Sequence, residues 1–79
     1  MIDLSKVLCN IAKAIVDNPD QVSVTEAAQE NDEVLLVLSV AEEDMGMIIG
    51  KHGKIARAIR VVMKAIAKND DRKVVVEIK

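Results

Sequence analysis

The stretch Val34-Leu35-Leu36-Val37-Leu38-Ser39-Val40 is apolar at nearly every position, and it constrains the fold more than any other. A strand of this kind belongs at the centre of a sheet, covered on both faces. It needs a neighbour on each side, and the chain offers two. Val22-Ser23-Val24-Thr25-Glu26 alternates with period two and continues less regularly through Ala27-Ala28-Gln29-Glu30. A turn at Asn31-Asp32-Glu33 folds it back antiparallel to the central strand. Val74-Val75-Val76-Glu77-Ile78-Lys79 is the second neighbour, with Val74, Val76 and Ile78 facing one way. The long connection from 34–40 to 74–78 makes those two strands parallel if they are adjacent.

The remaining segments read as helices. Asp3 is placed to cap a helix over residues 4–17, in which Leu4, Leu8, Ile11 and Ile15 form one stripe flanked by Val7 and Ala14. Asn18-Pro19-Asp20 ends it, because a residue before proline is pushed out of the α region. Ala41-Glu42-Glu43-Asp44 breaks the central apolar run, and Asp44 is placed to cap a short helix through Met45–Ile49. A turn over Gly50–Gly53 leads into a helix over residues 54–68, with Ile55, Ile59, Val62 and Ile66 as its apolar stripe. Asn69-Asp70-Asp71 closes it. The order is α-β-β-α-α-β: one α+β domain over residues 1–79, a three-stranded mixed sheet with helices packed on one face. The second face of the central strand is left for a partner.

The chain contains no Phe, Tyr or Trp, so Val, Ile, Leu, Met and Ala must build the core. Chains of this size bury only about 60% of their unfolded surface, and a dimer or bound partner is a natural supplement. The single Cys9 can form no internal disulfide and has no second cysteine for a metal site; a free, partly buried thiol suits a reducing compartment. No basic segment leads into an apolar leader, and no apolar run approaches membrane-spanning length. A soluble cytoplasmic protein is expected.

The net charge of −2 hides a split. Met1 to Gly50 holds ten acids and two bases, whereas Lys51 to Lys73 holds eight bases and two acids. Four of those bases, Arg57, Arg60, Lys64 and Lys68, recur at helical spacing away from the apolar stripe. The commoner fate of such a run is a solvated helix face. An acidic chain is a poor non-specific polyanion binder, yet a local basic patch remains open to it.

That patch begins at Met47-Ile48-Ile49-Gly50-Lys51-His52-Gly53-Lys54-Ile55, where an apolar run enters a Gly-x-x-Gly turn and a helix leaves it. Glycines at both corners admit positive φ and close approach by another chain. The helix start favours an anion such as phosphate. A nucleotide-hydrolysing P-loop is excluded: Gly46 and Gly50 stand one residue too close, and His52 occupies the place of the magnesium-binding hydroxyl. His52 is the only histidine, with no second metal ligand at plausible spacing, and reads as a solvent-facing turn residue able to touch a phosphate or ribose. Met45 and Met47 read as core or groove wall. No nucleophile–base pair, metal cluster or carboxylate dyad can be assembled, so no enzyme, metal or cofactor is expected. Without aromatic platforms, recognition of a nucleic acid must use backbone approach, aliphatic walls and cations.

Ile49-Gly50-Lys51-His52-Gly53-Lys54-Ile55 resembles the Ile-Gly-x-x-Gly-x-x-Ile core of the KH domain, with Ile55 one residue early and Ala56 in the final place. The element order looks like the type II KH arrangement, and the chain's size together with the Arg57-Ala58-Ile59-Arg60-Val61-Val62 helix resembles the small bacterial KhpA family. The resemblance implies single-stranded RNA in a groove between the short helix, the turn, the next helix and the central strand. Gly50 and Gly53 would allow backbone approach. Lys51, His52 and Lys54 would contact phosphates, with Arg57 close by, and Ile48, Ile49, Ile55 and Val40 would form the apolar groove. It further implies a homodimer or a pairing with a KhpB-type protein, and a role as RNA chaperone or post-transcriptional regulator in cell elongation and envelope growth. The rival reading is a protein-interaction adaptor with little RNA affinity of its own, suggested by the acidic balance and the doubly apolar strand.

Overall fold

In the computed structural model, residues 3–28 and 33–79 are described, the side chains of Ala28 and Lys51 excepted. The chain forms α1 (Leu4–Ile15), a 3-10 turn (Pro19–Gln21), β1 (Ser23–Ala28), β2 (Glu33–Ser39), α2 (Glu42–Asn69) and β3 (Lys73–Ile78). The sheet order is β1-β2-β3, with β1 antiparallel and β3 parallel to β2, so the apolar strand is central as expected. In register, Leu38 faces Val24 on one side and Ile78 on the other. The expected turn at Asn31-Asp32-Glu33 lies outside the described residues except for Glu33, which opens β2.

Among the described residues, β2 is covered on one face only. Val34, Leu36 and Leu38 are buried, whereas Leu35 and Val37 on the opposite face are half-buried. Both helices pack on the first face, α1 over β1 and β2 and α2 over β3. Each fully buried aliphatic side chain there contributes about 2 kcal/mol. Asp3 caps α1 as its position implies: its carboxylate accepts from the Lys6 amide at 3.2 Å and from the Ser5 hydroxyl at 2.7 Å. The Ser5 bond, then the Lys6 bond, hold the Asp3 carboxyl below its ordinary value. The stability this cap adds is therefore present at neutral pH and fades as pH falls through the lowered folded value.

Two helical details differ from the sequence reading. α1 ends at Ile15, two residues early. Val16 turns extended and buries its side chain, at 8% exposure, in the same core as Leu8 and Ala12. Asp44 does not cap α2. The N-cap is Ala41, and Asp44 sits in the first turn with a carboxylate only 2% exposed. It reaches across to the chain beyond α1, accepting from the Asp17 amide at 3.1 Å, the Asn18 amide at 3.1 Å and Asn18 Nδ2 at 3.2 Å. A buried carboxylate is tolerated only with such partners. This one ties the entry of α2 to the exit of α1.

The buried stripe of the second half of α2 is also displaced. Ala56, Ile59, Met63 and Ala67 are buried to 5% exposure or less, whereas Val62 is 44% exposed. Ile55 and Ile66 are only partly buried at the rim of the core. The helix ends as the Asn69-Asp70-Asp71 run implies. Asp71 takes φ +53°, its amide bonds Lys68 O, and the Arg72 amide bonds Ala67 O at 2.8 Å, the pair of bonds of a Schellman cap.

Candidate nucleic-acid interface

α2 bends at the Gly-x-x-Gly sequence. An α-helix holds φ near −63°, yet His52 and Gly53 stand at +64° and +68°. Two successive left-handed residues divide α2 into a first arm over 42–51 and a second over 54–69. Helical hydrogen bonding continues close enough to the bend that no separate loop intervenes, whereas the sequence reading placed a four-residue turn there. The element order α-β-β-α-α-β holds with the two arms counted separately.

The two glycines serve different ends. Gly53 has the backbone that glycine adopts most readily. Gly50 is not among the positive-φ residues, contrary to the expectation for both corners, and a Cβ there would meet nothing within 4 Å. The fold's own packing does not demand glycine at 50; a side chain there would simply project into open space. The left-handed residue besides Gly53 is His52, a type enriched in that region. Its carbonyl is held by Arg57, whose Nη2 donates at 2.8 Å. Arg57 thus braces the bend with one of its five N–H donors.

The expected site residues separate into two groups. His52, Lys54, Arg57 and Ile49, the last at 50% exposure, are on the surface around the bend, and Gly50, Gly53 and Ile55 are half-buried beside them. The side chain of Lys51 lies outside the described residues. Ile48 is fully buried and Val40 is 8% exposed, so neither forms a wall for a ligand. Ile48 is the buried side of the first arm itself and lies with Val40 in the core, while Met47 and Ile49, 38% and 50% exposed, flank it on either side of the arm.

The strand beside the second arm is β3, not the central strand. Arg60 marks the contact, donating Nε to the Val76 carbonyl at 3.2 Å. In a strand, backbone groups of alternate residues point to opposite edges. Lys79 N bonds Leu38 O on β2, so Lys73, Val75 and Glu77 also direct their backbone toward β2, and Val74, Val76 and Ile78 direct theirs to the open edge. The open edge of β3, rather than the central strand, therefore runs alongside the second arm. Arg60 was visible in the sequence as part of the basic stripe, but only the packing of α2 on β3 gives it this place. Among the described residues there is no group of three or more His, Cys, Asp or Glu able to hold a metal, and no helix long and apolar enough to cross a membrane.

A family model described as KhpA/KhpB, KH domain, matches residues 5–78. The chain is 51% identical over 75 residues to the RNA-binding protein KhpA of Clostridium acetobutylicum, covering 95% of this chain and 99% of that protein. It is 53% identical over 68 residues to the RNA-binding protein KhpA of Clostridium perfringens, covering 86% and 89% respectively. It is 44% identical over 73 residues to the protein of that name from Treponema pallidum, covering 92% and 90%.

Proposed function

The chain belongs to the KhpA/KhpB KH-domain family, whose members are non-enzymatic binding proteins, and on that footing we propose that it is an RNA-binding protein gripping single-stranded RNA at the bend of α2. The observation that carries this reading is the bend itself. Two consecutive left-handed residues expose a backbone corner with open space outside Gly50 and Gly53, and the Arg57 guanidinium braces it. Gly50 and Gly53 admit the RNA backbone; Lys51, His52, Lys54 and Arg57 take its phosphates; Ile49 and Ile55 offer the aliphatic wall on which bases rest. A KH site spans about four nucleotides, and so few cations in an acidic chain give weak binding by one copy. The cellular role that goes with it is that of a cytoplasmic RNA chaperone or post-transcriptional regulator linked to cell elongation and envelope growth, with residues 1–79 acting as one KH domain.

The paired substitution Lys51→Asp with His52→Asp tests it. Titration of a labelled single-stranded RNA is expected to show roughly a tenfold or greater loss of affinity, about 1.4 kcal/mol or more. Unchanged affinity in a variant with wild-type thermal unfolding would sink the assignment of the bend.

A second reading, assembly with another KH domain, is favoured by one observation. On the second arm, Val61 is 62% and Val62 44% exposed, with exposed Ala58 and Ala65 beside them. At 3.6 residues per turn these lie opposite the buried stripe. An apolar strip on a solvated helix face marks an interaction surface. A second copy, or a KhpB-type KH domain, would cover it, and two linked sites would raise RNA affinity by effective concentration. Sedimentation of the wild type and Val61→Glu is expected to show a dimer converted to monomer. A wild type that stays monomeric at every concentration removes the homodimer. RNA binding that is absent or indifferent to salt, beside a stable protein complex, favours the adaptor role.

A further inference from the structure

Beyond the bend, the second arm of α2 leads to a groove with no assigned role. It is an open groove of about 680 Å3, lined by Glu33, Lys64, Lys68, Asp71, Arg72, Lys73, Val74 and Val75. That volume holds a nucleotide-sized group rather than a single small ion. It lies at the opposite end of the arm from the Gly-x-x-Gly bend: Lys54 and Lys68 are fourteen residues apart, about 21 Å along a helix.

Three lines of the geometry meet there. Arg57, Arg60, Lys64 and Lys68 follow one another at +3, +4 and +4 and so occupy one stripe. The stripe runs beside the open edge of β3, because Arg60 binds the Val76 carbonyl while Lys64 and Lys68 share the groove with Val74 and Val75. The Schellman turn then places Lys73, the first residue of β3, at the same groove. Arg72 is engaged by Asp70 at 3.7 Å, and Lys73 stands in register with Glu33 across the sheet. Even so, the lining carries four bases against two acids. Val75, 46% exposed at the groove, supplies an aliphatic surface next to these cations. A basic lining beside an aliphatic surface and a strand edge suits a ribose-phosphate chain with its bases turned inward.

We propose that this groove is a second phosphate-contact site, taking the same RNA strand after it leaves the bend. Lys64, Lys68 and Lys73 make the contacts, and the stripe along β3 is the path between the two sites. The inference rests on the RNA reading above and deepens it: the protein prefers strands longer than the four nucleotides of the bend.

The test compares wild type with the combined variant Lys64→Gln, Lys68→Gln and Lys73→Gln, three exposed positions. Binding is measured by fluorescence anisotropy to an oligouridylate of four nucleotides and to one three times as long, over a range of salt. For the longer strand, the variant is expected to lose about tenfold in affinity, with the salt slope lowered by about 2, since each single-strand phosphate contact contributes about 0.7. The tetranucleotide is expected to bind both proteins alike, which also reports that the variant is folded. Equal affinity of the two proteins for the longer strand overturns the proposal while leaving the bend intact, and so does an equal loss for both strands. A wild type that binds neither strand overturns the RNA reading and the second site together.

Discussion

A lysine at position 63 is expected to unfold the domain, whereas a lysine at position 62 is expected to leave it folded. Met63 is fully buried in the cluster that includes Ile59, Ala67, Val74 and Val76. An ammonium group placed there either stays charged, at an effective cost of several kcal/mol, or gives up its proton against its ordinary equilibrium. A domain of 79 residues has about 4–12 kcal/mol of stability in all, so this single change removes most of it. Val62 is 44% exposed in the single chain, and a lysine there can lay its stem along the helix with its charge in water. Its stability should fall within about 0.5 kcal/mol of the wild-type monomer when both are compared at concentrations too low for association. Thermal unfolding followed by circular dichroism separates the two. A Met63→Lys protein that melts at the wild-type temperature, or a Val62→Lys protein that is unfolded, would show that the helix is turned the other way.

The second large effect is expected at Asp44. In Asp44→Ala, the amides of Asp17 and Asn18 lose their acceptor in a part-buried place. An orphaned donor of this kind costs about 1–3 kcal/mol, and more when its partner was charged. The pair together should therefore cost about 3 kcal/mol, which for a domain of this size lowers the melting temperature by roughly 12–24 °C. Asp44→Asn keeps one acceptor oxygen and should fall between the two. Amide exchange gives a local readout: Asp17 and Asn18 should exchange faster than the amides of α1. Because this carboxylate ties the exit of α1 to the entry of α2, RNA affinity should fall with it, though less than in the Lys51→Asp, His52→Asp protein. An Asp44→Ala protein of wild-type stability would mean that water replaces the carboxylate without loss.

These two positions show where the sequence was informative and where it was not. β2 was legible because a strand has only two faces. Seven nearly unbroken apolar residues leave little choice of place, and period-two patterns on either side name its neighbours. The bend was legible because Gly-x-x-Gly between apolar and basic segments is a rare local arrangement. The second arm was harder. Ile55, Ala56, Ile59, Val61, Val62, Met63, Ile66 and Ala67 supply more apolar residues than one stripe needs. Two stripes one residue apart, through Val62 or through Met63, satisfy the same period. Asp44 was misplaced because an aspartate next to a helix start looks like a cap whatever else it touches. Val40 and Ile48 look like groove wall in the sequence because apolar spacing does not say which residues a second element will bury, and the structure sets both in the core.

By itself, then, the sequence determined the order of elements, the central strand, the direction of its two neighbours and the position of the bend. Each of these rests on spacing along the chain, and spacing is written in the chain. Tertiary structure decided the rest. Packing against β3 chose Met63 over Val62, set Arg60 on the Val76 carbonyl and made β3, rather than β2, the strand beside the second arm. The approach of α1 to α2 turned Asp44 from a cap into a tie, and the brace from Arg57 accompanies a left-handed His52 where glycine would have been the ordinary choice. The physical reason is common to all of these. Candidates on one helix or turn differ little in local energy, and the difference appears only when a second element comes close enough to bury one and leave the other in water.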